Sequence, residues 1–300
     1  MTLATIRTPG LSTIQDGGRR GFTEVGVPVS GAFHRVRYLV ATALISGSPD
    51  DRRPSIELLG GDLSIDVETT MVMAVVGPAA LTIDGRRQAG GTAVSVQAGA
   101  TVVVAHAGPG PAYVVVDGWT PRLTLGSAAT DTFSGIGGGA LQPGAVLAGS
   151  PTAAGGRRVG VFHRVLVEPT GPLGVAPTGH PGLRTFVSAT WSVTSIARSG
   201  ARLAGGPIPA AGSVPSMPTI PGAIQVTPSG EVLVLGPDGG LTGGYPVVAV
   251  VTTAELDRLS LLRTGEAVTF RTVEIDEAVA ARRAQLATVR RAVAHPDDLP

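Results

Sequence analysis

Glycine and proline punctuate this chain so often that long helices have few places to form. There are 43 glycines and 24 prolines among 300 residues. Glycine weakens a helix interior through its conformational freedom, and proline removes a backbone donor and clashes with the preceding turn. Between the breaks lie short β-rich runs at 70–76, 93–96, 101–105, 112–116, 161–167, 231–235, 247–251 and 267–273. Turn signals between such runs predict a mainly β chain of barrels or sandwiches.

One local pattern recurs. It reads Gln97-Ala98-Gly99-Ala100-Thr101-Val102, then Gln142-Pro143-Gly144-Ala145-Val146-Leu147, then Arg263-Thr264-Gly265-Glu266-Ala267-Val268. Each copy sets a glycine turn just before an extended run. The three read either as equivalent strand entries in two related barrel-like halves or as chance similarity in a glycine-rich chain. Three helices are expected. Residues 33–45 carry Val36, Leu39, Val40, Ala43 and Leu44 at helical spacing, with Gly47 to end the helix. Thr252 and Glu255 have the spacing of a capping box for a helix to about Leu262, stopped near Gly265. The tail from Glu274 to about Val293 places Ile275, Val279, Leu286 and Val289 near one face, and residues 295–300 are expected to fray. The low-complexity stretch 149–158 is the linker candidate, giving domains 1–150 and 159–300.

Composition excludes several chemistries. The net charge of +1 offers no electrostatic case for nucleic acid or an anionic membrane as partner. Cysteine is absent, which removes disulfides, thiolate catalysis and thiolate zinc sites. All 23 basic residues are arginine, so no lysine is present to cradle phosphate, form a Schiff base or carry biotin. No uninterrupted apolar stretch approaches the ~18 residues of a membrane span, and the first residues lack a secretory layout; a cytoplasmic location is expected. The five histidines show no metal-ligand spacing, and no G-x-S-x-G elbow occurs, so no metal site is expected.

Candidate site residues sit on glycine-punctuated boxes. The first box is Pro9-Gly10-Leu11-Ser12-Thr13-Ile14-Gln15-Asp16-Gly17-Gly18-Arg19, followed by Gly26-Val27-Pro28-Val29-Ser30-Gly31-Ala32. Gln15 and Asp16 beside Arg19 and Arg20 suit a pocket rim that orients an amide, carboxylate or phosphate. Equally, Asp16 caps its own turn and the arginines are solvated. Glu57 alternates with Ile56 and Leu58, so it faces either a barrel interior, where it needs a partner, or solvent. Gln225 alternates in the same way with Ile224 and Val226 after Pro221-Gly222, and its amide suits a small polar ligand at a strand mouth. Thr242-Gly243-Gly244-Tyr245-Pro246 reads as an anion nest or as a structural hairpin. These boxes are expected to converge on one cleft.

Taken in order, these motifs resemble the family variously called allophanate hydrolase subunit 2, the C-type subunit of 5-oxoprolinase and biotin-dependent carboxyltransferase-like, to which KipA belongs. The matching pieces are Pro9–Asp16 as P-G-L-x-T-x-Q-D, 26–32 as G-V-P-x-S-G-A, the glutamate of Ile56-Glu57, and 125–131 as L-G-S-x-A-T-D. Later come 221–226 as P-G-x-I-Q-V and 242–246 as T-G-G-Y-P. The resemblance implies two cyclophilin-like β-barrel domains with a few short helices and a C-terminal helix. It implies a subunit of an ATP-dependent amide-hydrolysing complex, with a subunit 1 (KipI-like) partner and a third, LamB/YcsF-like subunit. ATP with Mg²⁺ would be used in the complex, with nothing bound covalently. Arg198, Arg202 and Glu57 are the catalytic candidates; Gln15, Asp16, Gln225, Thr242, Gly243, Gly244 and Tyr245 are the substrate-binding ones. Two alternatives stand beside this: a regulatory subunit that keeps the partner interface without catalysis, and the carboxyltransferase part of a biotin-dependent carboxylase.

Departures from the family pattern are grouped. Where the family has S-D-R-M-G-x-R, this chain has Ile196-Ala197-Arg198-Ser199-Gly200-Ala201-Arg202. Ser216-Met217-Pro218 replaces S-E-G, and Asp238-Gly239-Gly240-Leu241 replaces the start of D-R-Q-T-T-G-G-Y. His34 stands where S-G-A-x-D has its carboxylate. Turn glycines and prolines persist while polar side chains are lost, as expected of an altered or relaxed pocket.

Overall fold

The computed structural model describes residues 1–151, 170–206, 208 and 214–293. The expected run at 161–167, the linker candidate beyond Pro151 and the tail at 295–300 lie outside the described residues. The chain forms two compact units. One comprises Met1–Arg19, Ser30–Val167 and Leu286–Pro300; the other comprises Arg20–Val29 and Glu168–Gln285. Mainly β architecture with few helices and a C-terminal helix is what the sequence predicted.

The first unit runs β1 (Thr2–Thr8), β2 (Ser12–Gln15), α1 (Arg35–Ser46), β3 (Ser55–Leu58), β4 (Asp62–Val67), β5 (Met71–Val76), β6 (Ala79–Ile83), β7 (Arg86–Arg87), β8 (Ala93–Val96), β9 (Thr101–His106), β10 (Ala112–Val116) and β11 (Val146–Ala148). They form two sheets, ordered β11-β1-β4-β9-β6-β7 and β2-β3-β10-β5-β8. Alternation sorts each strand between two cores. Ile56, Leu58, Val114 and Val116 join Leu3, Ile6, Ile65 and Val104 in one. Tyr113, Val115, Ala74 and Val76 face the other way and pack under α1 against Leu39, Val40 and Leu44. Gly47 ends α1 in the left-handed region at φ 74°, its N–H bonded to Ala43 O.

The second unit runs β12 (Leu173–Pro177), α2 (Leu183–Ser188), β13 (Trp191–Ala197), β14 (Gly200–Ala204), β15 (Met217–Pro218), β16 (Ala223–Val226), β17 (Val232–Leu235), β18 (Thr242–Gly243), β19 (Val247–Val251), α3 (Leu256–Leu259), β20 (Ala267–Val268), β21 (Phe270–Thr272) and the start of α4 (Ile275–Val293), which belongs to the first unit from Leu286 onward. Its main sheet is ordered β20-β13-β14-β17-β16-β19-β12-β21. The two edge strands, β20 and β21, are separated in sequence by Thr269 alone. The sheet therefore curls nearly shut, which leaves little open edge. Phe186 anchors the interior, stacked on Trp191 with ring centres 5.4 Å apart and tilted against Phe270 at 4.6 Å.

The recurring glycine pattern is one device used three times. Gly99, Gly144 and Gly265 sit at φ 88°, 82° and 87°. Each donates its N–H at 2.7 Å to a neighbouring strand, at Val67 O, Ile6 O and Val193 O. That strand residue donates back at 2.9 Å, to Ala100 O, Ala145 O and Glu266 O. Each turn therefore docks onto a strand already in place and launches β9, β11 or β20. This positive φ is the conformation for which glycine is suited.

The expected capping box does not form. Glu255 turns its carboxylate to Arg258 at 2.6 Å, and the helix stops after one turn at Leu259 rather than reaching Leu262. The expected run 267–273 likewise breaks at Thr269. In α4, Leu286 and Val289 pack with the core under α1, whereas Ile275 and Val279 are exposed. No helix among the described residues is long and apolar enough to cross a membrane.

Candidate functional site

In the first unit, the motif segments meet around Asp16. Its Oδ1 accepts from Gly18 N–H at 2.8 Å and Ser127 Oγ at 2.7 Å, and its Oδ2 accepts from Ala128 N–H at 2.7 Å. Its carbonyl accepts from Ala32 N–H at 3.2 Å. One acid thus ties the first box to residues 30–32 and to 125–131. Gly31 is required at this crossing: at φ 87°, its Cβ would stand 2.9 Å from Gly18 N and 3.0 Å from Asp16 O. Asp131, fully buried, folds the next turn by accepting from Phe133 N–H at 3.0 Å and Ser134 N–H at 3.2 Å.

Glu57 faces neither a barrel interior nor solvent. It points off β3 to the α1 side, directly across from Tyr113 in register. Its Oε2 accepts from Tyr113 Oη at 2.6 Å and from Phe33 N–H at 2.8 Å. Tyr113 Oη in turn accepts from His34 N–H at 2.8 Å. A carboxylate below a helix N-terminus answers both the free N–H groups and the helix dipole. His34 is the N-cap, its Nδ1 accepting from Arg37 N–H at 3.3 Å. The imidazole thereby does the capping work an aspartate would do at this position. Tyr38 donates to Arg53 O at 3.0 Å; burial, and then the nearby Asp16 charge, raise its pKa far above the ordinary phenol value.

Among the described residues, three buried polar atoms on the same loops have no hydrogen-bond partner: Gln15 Oε1, Arg19 Nη1 and Ser30 Oγ. Gln15 Nε2 donates to Thr13 Oγ1 at 3.0 Å and Thr130 O at 2.9 Å. Arg19, only 1 % exposed, donates to Thr124 O at 2.9 Å and Ala129 O at 2.6 Å. Sequence reasoning gave Arg19 no separate role, because nothing in the sequence showed that it would be buried rather than solvated.

In the second unit, the two late boxes meet. Gln225 lies on β16, 4 % exposed, with Nε2 unpartnered among the described residues. A Cβ at Gly243 would stand 2.5 Å from that nitrogen. Gly243 thus leaves room for the Gln225 amide. Opposite lies β15, where Met217 pairs with Gly243 and Pro218 with Thr242. Thr219 closes the loop, its hydroxyl bonding Gly240 O and its N–H donating to Leu241 O at 2.8 Å. Tyr245 is 37 % exposed beside this loop.

The two candidate arginines differ. Arg198 and Asp238 form a two-armed pair, Nε–Oδ2 at 2.8 Å and Nη2–Oδ1 at 2.9 Å, with both side chains buried. Asp238 N–H also donates to Arg198 O at 3.1 Å, so loops 196–199 and 236–239 are clasped together. Arg202 makes an exposed pair with Glu231 at 2.8 Å. Among the described residues, no group of three or more His, Asp or Glu side chains is placed to hold a metal.

A mainly β chain with a nearly closed eight-stranded sheet and glycine-walled polar loops defines a class of barrel-built carboxyltransferase-like domains. The chain belongs to the carboxyltransferase domain, subdomain A and B family, whose model matches residues 25–272. It is 28% identical over 303 residues to the C-type subunit of 5-oxoprolinase from Escherichia coli (strain K12), covering 94% of this chain and 95% of that protein. A 62-residue stretch is 42% identical to the same 5-oxoprolinase component of Haemophilus influenzae, covering 21% of this chain and 20% of that protein. Among solved structures, TTHA0988 superposes with TM-score 0.81 and 28% identity over 90% of this chain. Kluyveromyces lactis urea amidolyase shares the fold, with TM-score 0.86 and 22% identity over 100% of this chain. The chain spans 56% of TTHA0988 and 20% of the amidolyase.

Proposed function

We propose that this chain is a non-autonomous subunit of a cytoplasmic, ATP-dependent amide-hydrolysing complex of the 5-oxoprolinase/allophanate hydrolase type. It would act with a subunit 1 (KipI-like) partner and a third, LamB/YcsF-like subunit. The full-length likeness to a 5-oxoprolinase subunit supports the class. The observation that carries the site is the unpartnered Gln225 Nε2, a buried donor held against Gly243. A buried donor without an acceptor is costly, by about 1–3 kcal/mol. A substrate carbonyl would accept from it, flanked by Thr242, Gly244 and Tyr245.

The contacts support the remaining roles. Asp16 and Glu57 hold the loops of the first unit, with Gln15 beside them for substrate orientation. Arg198 is the charge-stabilising candidate on the buried side, and a developing anion would share it with Asp238. Arg202 is the corresponding candidate at the surface. Opening an unactivated lactam calls for phosphoryl activation and stabilisation of the resulting oxyanion. ATP and Mg²⁺ would supply the activation in the complex. With no lysine in this chain, phosphate recognition here falls to arginine and backbone N–H groups. The test is 5-oxoproline-dependent ATP hydrolysis with and without the partner subunits. Turnover only in the complex is the expected result; robust turnover by this polypeptide alone overturns the proposal.

A second reading, a regulatory subunit without catalysis, is favoured by one observation. Apart from His34, the positions that depart from the family pattern gather on the second unit's loops: Met217 pairs with Gly243, and Ala197 precedes the Arg198 that clasps Asp238 beside Gly239. Restoring the lost polar side chains at Ile196, Ala197, Met217, Gly239 and Gly240 separates the readings. A gain in turnover favours the enzyme; unchanged partner binding with no turnover favours the regulator.

A further inference from the structure

Where α4 begins, it leaves a groove of about 390 Å³ between itself and the strands beside it. Ala176 on β12 and Val250 on β19 stand opposite each other in register and form the strand wall. Ile275, Ala278, Val279 and Arg282 form the helix wall, spaced i, i+3, i+4 and i+7 on one face. Ile275 is 76 % and Val279 42 % exposed, so the described residues leave this apolar stripe uncovered.

The helix is fastened in place beside the groove. Gln285 Nε2 donates to Ala254 O at 3.1 Å and to Asp257 Oδ2 at 3.0 Å, which pins α4 alongside α3. Gln285 Oε1 accepts from Arg282 Nη1, holding that guanidinium at one end of the groove. Arg283 follows it, and its guanidinium makes no hydrogen bond or ion pair among the described residues. The lining includes both arginines and no acidic side chain. Glu277, in the first turn of α4, is already paired with Arg271 at 2.7 Å.

We propose that this groove binds a small monocarboxylate with an apolar body, of the medium-chain fatty-acid type. The hydrocarbon lies between Ala176, Val250 and the Ile275–Val279 face, where it removes apolar surface from water. The carboxylate meets Arg283, whose planar fork matches it, with Arg282 alongside. The groove's volume falls within the ~300–1,000 Å³ range of small-molecule sites. From Ile275 to Arg283 the helix rises about 12 Å at ~1.5 Å per residue, a length that an extended chain of this class covers. A stable protein interface buries about 800 Å² on each side, and a groove this short offers far less. The site shares no residue with the Gln225–Gly243 loops. It goes beyond the reading above and stands whichever reaction the chain serves.

The test is calorimetric titration of the full chain with octanoate, below its micelle-forming concentration, beside acetate and octylammonium. Octanoate should bind saturably, with one site per chain. Acetate has the head without the body, and octylammonium has the body with a cationic head; each should bind at least about tenfold more weakly. Arg283→Ala removes a guanidinium with no internal partner, so it should weaken octanoate binding about tenfold and leave the melting temperature unchanged. Ala278→Phe fills the groove from its helix wall and should abolish binding. Should that variant fail to fold, Ile275→Ser, at an exposed position, should weaken octanoate binding severalfold without loss of structure. The proposal is overturned if octanoate does not saturate, if octylammonium binds as tightly, or if Arg283→Ala binds like the parent chain. Self-association that octanoate does not reverse would assign the groove to a second copy of the chain and overturns it as well.

Discussion

The motif loops of the two units are built by opposite means. In the first, side chains do the joining: the Asp16 carboxylate gathers one donor from its own turn and two from the 125–131 segment, and Glu57 gathers a hydroxyl and the start of α1. In the second, one pair of loops is clasped by Arg198 and Asp238, but the loops around Gln225 meet where a side chain is missing, with Gly243 making room for its amide. The contrast teaches that a motif residue is retained either for the bonds it makes or for the space it leaves. Only the first kind should reveal itself through large losses of stability.

Asp16→Ala gives the largest expected effect. It strips the acceptors from two backbone N–H groups and a hydroxyl, and should destabilise the protein by about 3–5 kcal/mol in urea unfolding. A loss below about 1 kcal/mol would break the view of Asp16 as the organising acid of the first unit. Asp238→Ala comes next, leaving Arg198 buried without its partner, at about 3–4 kcal/mol. The double variant with Arg198→Met should recover most of that loss, which would show that the second unit needs the pair only as a pair. Gly243→Ala should lower stability by only about 1–2 kcal/mol. In the assembled complex, however, it should cut turnover on the order of a hundredfold by displacing the Gln225 amide. Equal losses in both assays would erase the distinction between bonding and space-giving residues. Arg202→Ala should change stability by less than about 1 kcal/mol, since its pair is exposed to solvent.

Much of the fold was legible because turn glycines and β-branched runs act locally. The runs at 93–96, 112–116 and 247–251 coincide with β8, β10 and β19, and Gly47 ends α1. Strands β13 and β14 were harder to see. Trp191 and Val193 are buried while Ser192 and Thr194 are exposed, so the alternation is present but carried by few apolar residues. The helix at 256–259 was overestimated because Glu255 had a nearer charge, Arg258, than the backbone N–H it was expected to cap. The site was legible as a set of motifs but not as a set of roles. Alternation turned Glu57 away from Ile56 and Leu58, yet could not show that Tyr113 and a helix start lay across from it. Arg19 was hidden for the same reason, since its burial is imposed by Thr124 and Ala129, about a hundred residues downstream.

The near-closure of the eight-stranded sheet has a consequence for biogenesis. β12 is the first strand of that sheet to leave the ribosome, and it is flanked by β19 and by the parallel β21, both made much later. Until the segment through Thr272 is synthesised, one side of β12 exposes bare N–H and C=O groups, a template for pairing with another nascent chain. Parallel pairing between distant segments is also slow to form. Truncation just before Phe270 should therefore produce inclusion bodies rather than a slightly shorter soluble protein, even though every residue of the Gln225–Gly243 loops would still be present.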